Sequence, residues 1–239
     1  YAHLLHDHIF FLTWLITEFP PSTKIALRFS RVAHGIIKWL DGSLLERILW
    51  YSEEQVTCVP GTALIVDPVA GDYHQFRSTS LVWRFRELIT SSHFFREARA
   101  ARAAGRGGIR RIVLCSRHGA ATMHKRLLGN EEELGALVAK LLGEYSREEE
   151  LYIFDGAGKT IQEQFDIFNS ASVVIGAHGS AVANILWVPD EADLPGGRVR
   201  VIEAVTGHRS IRVQGPVPYQ TSYFWIFGGA PWVQYNHVV

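Results

Sequence analysis

Arg110-Arg111-Ile112-Val113-Leu114-Cys115, Leu151-Tyr152-Ile153-Phe154 and Ser172-Val173-Val174-Ile175 are three short apolar runs with helical spacing between them. The first leads into the polar, turn-like Ser116–Ala121. Asn130 with Glu133, and Thr160 with Glu163, then carry the pattern of an N-cap and its capping box. Behind Asn130, Leu134, Leu137, Val138, Leu141 and Leu142 follow the period of one helix; behind Thr160, Ile161, Phe165 and Phe168 follow that of a second. Asp155-Gly156-Ala157-Gly158 reads as a turn, Ser180–Trp187 as a short helix, and Val199–Val205 as a fourth strand. Strands alternating with helices over short connections give a parallel sheet covered on both faces. Residues 108–239 therefore read as one doubly wound α/β unit, whose ligands belong at the carboxyl ends of the strands.

Working back toward the amino end, the signals are less regular. Residues 4–19 read as a buried helix, Ile25–Phe29 as a strand, Ile36–Trp50 as helical, and Ser78–Ile89 as another helix. Gln55–Val66 holds strand-like pieces broken by Pro60-Gly61. Residues 1–95 are thus expected to form a smaller α/β lobe. The only methionine is Met123, so the chain is expected to be a fragment or a processed product, with this lobe incomplete. Between the lobes, Arg96–Arg111 carries six arginines and one glutamate and reads as a solvated helix running into a glycine-rich linker.

Composition narrows the functional classes. Across 239 residues, 24 Lys+Arg balance 24 Asp+Glu, so the excess of cations that a general nucleic-acid binder relies on is missing. Two cysteines, Cys58 and Cys115, are too few for a disulfide framework, and neither sits in a zinc-binding pattern. The apolar stretch Ile9–Ile16 is far shorter than the roughly 20 residues of a membrane helix.

Three groups of residues bear chemistry. In Gly176-Ala177-His178-Gly179-Ser180, a strand runs through a glycine-flanked turn into a helix start, where unpaired backbone N–H groups suit a phosphate. Gly176 and Gly179 allow close approach of a ligand; His178 can donate to a phosphate oxygen or lie exposed at the surface, and Ser180 can do the former or cap the helix. Ser116-Arg117, with Arg126 and Asn130 beyond, follows the first strand of this unit. Its arginines match phosphate oxygens, or else pair with Glu131–Glu133. Near the start, His3, His6, Asp7 and His8 offer a general base (His6 or Asp7) or part of a metal site. Glu203, ending the fourth strand, can accept both hydrogen bonds of a ribose diol or pair with Arg198 or Arg209. Neither a DxD metal motif nor a GxSxG nucleophile elbow is present, and no strand is followed by GxGxxG. The aromatic residues Tyr219, Tyr223, Phe224, Trp225, Phe227, Trp232 and Tyr235 crowd the tail; core packing is their commoner use, stacking on sugar rings the other.

Together, these segments resemble glycosyltransferase family 61. Arg111–Arg117 followed by Lys125–Leu134 is similar to the family's "R…R.ILNE.EL" segment, Ile175–Pro189 to "vIG.HGAGLtN.lfmp", and Val201-Ile202-Glu203 to "viEl". His6-Asp7 resembles the "HD" of the family's N-terminal lobe. Ala181 departs from the glycine of the pattern and adds a methyl near the expected phosphate site; Gly129 replaces the usual small or polar residue.

The resemblance implies a GT-B-like architecture of two Rossmann-like lobes with parallel sheets, the acceptor-side lobe at 1–95 and the nucleotide-sugar lobe at 108–239. It further implies an inverting, metal-independent transfer from a UDP-sugar to a hydroxyl of a glycan or glycoprotein, with no cofactor and no metal. Asp7, with His6 as the alternative, is the implied base. Arg117, Arg126, Asn130, Gly176, His178, Gly179 and Ser180 are the implied donor-binding residues around the diphosphate, and Glu203 is implied at the ribose or uracil. Golgi or ER lumen is the implied compartment, with membrane attachment only through an anchor outside this chain. A non-catalytic nucleotide- or glycan-binding module of the same fold is the alternative; a Rossmann-like enzyme using NAD or an acyl donor is disfavoured by the missing GxGxxG.

Overall fold

The computed structural model of the chain describes residues 10–29, 31–51, 79–116, 128–179, 181–194, 196–205 and 227–238. The strand-like pieces expected over 55–66 lie outside these residues. The described chain divides between Ser92 and His93 into two compact units.

The first unit holds α1 (Phe10–Glu18), β1 (Ile25–Arg28), α2 (Arg31–Leu40), β2 (Ile48–Tyr51) and α3 (Thr79–Ser91). β1 and β2 pair in parallel from Ile25↔Ile48 to Arg28↔Tyr51, with α2 as their crossover. α2 buries Ala33, Ile36, Ile37 and Leu40, one face at helical spacing. The single helix expected over Ile36–Trp50 is corrected here. α2 begins earlier and ends at Leu40, where Asp41 turns its carboxylate onto the Ser43 amide at 2.9 Å and opens a 3-10 turn. Beyond that turn, Ile48-Leu49-Trp50-Tyr51 is β-branched and aromatic and takes the strand beside β1. α1 packs on α3, and Arg47 donates to the carbonyls of Ile16, Phe19 and Pro20 where α1 ends.

The second unit is built on five parallel strands: β3 (Arg111–Cys115), β4 (Glu150–Phe154), β5 (Ala171–Ala177), β6 (Val199–Ala204) and β7 (Val233–Val238). The spatial order is β4-β3-β5-β6-β7. Counted within the unit, this is the doubly wound order 2-1-3-4-5, in which the winding reverses between β3 and β5. α5 (Glu131–Glu144) joins β3 to β4, and α6 (Ile161–Asn169) joins β4 to β5. On one face, Leu134, Val138 and Leu142 of α5 pack on Ile112, Leu114, Val173 and Ile175. Leu137 and Leu141, expected in the same stripe, are exposed because they lie about 60–100° round the helix axis from its buried line. On the other face, Phe165 and Phe168 of α6 are buried, against Phe95 and Phe154 respectively.

Two caps carry the same sequence pattern and differ in the fold. At Thr160 the box closes: the Glu163 amide donates to Thr160 Oγ1 at 3.2 Å, and the Thr160 amide donates to Glu163 Oε2 at 2.7 Å. Asn130 occupies the cap position of α5, but with φ −118° and ψ 34° its side chain makes no capping bond. It lacks the extended backbone from which a cap side chain reaches back.

The solvated helix and glycine-rich linker expected over 96–111 are present, but not as a link between lobes. α4 (His93–Ala103) is part of the second unit: Phe95 is fully buried, Arg99 pairs with Asp190 and Asp193, and Arg102 donates to Asn169 Oδ1. The fifth strand, β7, was not expected; its alternation of Val233 and Tyr235 with Gln234 and Asn236 lay within what read as a packing tail. Phe227, Trp232 and Tyr235 of that tail are indeed buried.

Thr160→Ala should cost about 1 kcal/mol of stability at neutral pH, measured by urea unfolding. The two hydrogen bonds from Thr160 hold the Glu163 carboxyl below its ordinary pKa of 4.5. A lowered folded pKa stabilises above the unfolded value and stops doing so as pH falls through it. The gap between wild type and Thr160→Ala should accordingly narrow below about pH 4.5, as Glu163 is protonated.

Candidate functional site

The winding reverses between β3 and β5, and the space beyond the carboxyl ends at such a reversal is where doubly wound sheets take ligands. Cys115 and Ser116 end one side of it, and Ala177, His178 and Gly179 end the other. β6 flanks the second side in register, Gly176 beside Glu203 and Ala177 beside Ala204, and the His178 amide donates to the Ala204 carbonyl at 2.9 Å.

Glu203 is completely buried. One carboxylate oxygen lies 2.7 Å from His178 Nδ1, and the other accepts a hydrogen bond from the Tyr235 hydroxyl at 2.8 Å. Alternation along β6 explains the burial: Val199, Val201 and Glu203 share the inward face. The side chain of His178 is only 17% exposed, so it is held at the strand end and not left on the surface. Glu203 is likewise turned inward with both oxygens engaged, whereas the expected alternative partner Arg198 pairs with Glu191. A carboxylate so placed holds an imidazole.

Gly176 has a different job from the one its motif suggests. A Cβ built there would stand 2.7 Å from Cys115 Cβ and 3.3 Å from Val182 Cγ2. The close approach that it permits is therefore between β5, β3 and the chain that follows. That chain is a 3-10 helix, Val182–Trp187, all six residues of which are buried. Its brevity gives it little of the dipole that a full helix start would offer an anion. The corner is anchored: Asn169 Nδ2 donates to the Trp187 carbonyl at 2.8 Å, and Trp187 Nε1 donates to Asn184 Oδ1 at 3.0 Å.

Cys115 is an inert neighbour. Burial first, and the negative charge of Glu131 second, push its thiol far above the ordinary range. Among the described residues, no group of three or more His, Cys, Asp and Glu is arranged to hold a metal ion, and no helix is long and apolar enough to cross a membrane.

Of the residues singled out from sequence, Gly176, His178, Gly179 and Glu203 are thus brought to one strand end, and Asn130 stands at the start of α5. His6, Asp7, Arg117, Arg126 and Ser180 lie outside the described residues, as does Arg209. Sequence reasoning missed Tyr235 as part of the site. The signal was available only as the strand alternation of β7, which says which face Tyr235 occupies but not what its hydroxyl meets.

A protein-family pattern described as Glycosyltransferase 61 matches residues 1–194 of the chain. No curated protein matches it.

Gly176→Ala should lower stability by about 1–3 kcal/mol, because Cys115 Cβ is fixed to the backbone and cannot swing aside. Gly143→Ala is the control, an exposed position within α5 with nothing within 4 Å of the added methyl. It should stabilise by about 0.5–1 kcal/mol, and urea midpoints distinguish the two.

Proposed function

This chain belongs to the glycosyltransferase 61 family, and from that premise we propose that it is an inverting, metal-independent enzyme that moves a sugar from a UDP-sugar to a hydroxyl of a glycan or glycoprotein. Membership makes it a glycosyltransferase; the donor, the stereochemistry and the absence of a metal are the proposal. The observation that carries it is the imidazole of His178, held by buried Glu203 at the end of β5, where the winding of the sheet reverses. A rigid donor group at that position suits a diphosphate.

The chemistry follows from what each group can do. Arg117, directly after Ser116 at the end of β3, and Arg126 supply permanent charge and planar donor forks for the diphosphate. His178, Ser180 and the backbone at Gly179 add hydrogen bonds, and Asn130 stands near the same segment in sequence. Asp7, or His6 in its place, removes the proton of the acceptor hydroxyl. That oxygen attacks the anomeric carbon from the face opposite the diphosphate. The bond from anomeric carbon to phosphate oxygen breaks as the new glycosidic bond forms, and UDP leaves with the negative charge that the cationic groups neutralise. Inversion follows from the single in-line displacement. The first unit serves the acceptor and the second the donor, in a GT-B-like division of labour. The secretory-pathway lumen, Golgi or ER, is the compartment in which such acceptors are found.

Titration calorimetry with UDP in the presence of EDTA tests the reading. Binding should persist without divalent ions, and Arg117→Ala should weaken it by about 1.5–3 kcal/mol. Asp7→Asn should abolish transfer while leaving UDP affinity in place. A folded chain that binds no UDP would overturn the proposal. UDP binding with no transfer from any UDP-sugar, and no effect of Asp7→Asn, would instead favour the non-catalytic module.

A further inference from the structure

Tyr235 belongs to none of the chemistry-bearing motifs, and both it and Glu203 lie beyond residue 194, where the family pattern stops. Yet its hydroxyl donates to Glu203 Oε2 at 2.8 Å inside the core, while Glu203 Oε1 stands 2.7 Å from His178 Nδ1. The register explains the reach: Tyr235 is level with Val201, one residue pair behind Glu203 on the same inward face, and a phenol is long enough to bridge that step. An ionised carboxylate can only accept hydrogen bonds. With Tyr235 donating to one oxygen, an ionised Glu203 accepts at its other oxygen a second hydrogen bond, from the proton of the ring nitrogen.

We infer that Tyr235 and Glu203 are positioning residues that lock the His178 ring with its proton on Nδ1, and so fix the orientation in which the ring stands at the strand ends. Free neutral imidazole in a histidine side chain has a choice of tautomer and rotamer; this arrangement removes both choices. Tyr235 acts through Glu203, and Glu203 through His178, so neither touches the ligand. Among the described residues, the titratable side chains on this face of the strands beside His178 are Glu203 from β6, Tyr235 and His237 from β7, and Cys115 from β3. Only Glu203 among them is an anion acceptor within hydrogen-bond distance of Nδ1. The identity of the ligand as a diphosphate rests on the function proposed above; the state of the ring does not.

The test begins without nucleotide. Long-range ¹H–¹⁵N spectra of the full 239-residue chain, with His178 assigned through a His178→Gln variant, report which ring nitrogen is protonated. The expected result is a protonated Nδ1 with a slowly exchanging, downfield proton. Tyr235→Phe should move that resonance upfield and speed its exchange, and Glu203→Gln should abolish it. UDP affinity should fall on the order of tenfold in Glu203→Gln, and by less in Tyr235→Phe, as for other carboxylates that orient a histidine. A wild-type ring protonated on Nε2 alone, or a Tyr235→Phe spectrum identical to wild type, overturns the inference. If Glu203→Gln fails to fold, the wild-type and Tyr235→Phe spectra still decide. A locked ring in a chain that binds no UDP would uphold the positioning and defeat the donor reading. UDP binding with an unlocked ring would do the reverse.

Discussion

A carboxylate with no solvent exposure sits at the end of β6, and the surrounding strand ends are arranged to tolerate it. Removing an ionised carboxyl from water costs several kcal/mol even after the protein relaxes. Two hydrogen bonds to a charged acceptor, each worth about 1.5–3 kcal/mol, offset much of that cost. One comes from β7 through Tyr235, and the other joins Glu203 to the residue that follows β5, His178. The same buried carboxyl thus links three neighbouring strands and fixes the orientation of the ring at the strand ends.

The remainder of the strand end is built for stiffness. Gly176 lets β5 approach Cys115 of β3 and Val182 of the following corner more closely than any side chain would allow. Asn169 and Asn184 satisfy polar groups of Trp187 that burial would otherwise strand. Arg99 and Arg102 of α4 reach the chain beyond the corner at Asp190 and Asp193, and burial lowers the pKa of Arg102 despite Asp193 beside it. A site that must neutralise a departing diphosphate gains from donors that need no reorganisation when charge develops. In the proposed function, the imidazole held by Glu203 meets that requirement more directly than the short 3-10 turn after it.

Legibility varied with how local the deciding interaction was. The strands at Arg111–Cys115, Glu150–Phe154 and Val199–Ala204 and the helix at Ile161–Asn169 follow from β-branched runs, period and caps. The boundary at Leu40 was missed because helical periodicity ran on into Ile48-Leu49-Trp50, and only pairing with β1 made that run a strand. Asn130 and Thr160 carry the same cap pattern, but backbone angles set by packing of α5 and α6 let only Thr160 use it. α4 is exposed as its composition suggested, but the carboxylates that pair with Arg99 come from residues some 90 positions later and could not be read locally.

From the order of residues alone came the alternation of strands and helices, the glycine-flanked histidine at a strand end and the family likeness. Each is written in neighbours a few positions apart, where turn chemistry and side-chain period operate. Only the tertiary structure decided that Glu203 faces inward to His178, 25 residues away, and is braced by Tyr235, 32 residues away. No local signal encodes such partners, because their meeting depends on which strands lie side by side and in what register. That choice belongs to the whole sheet.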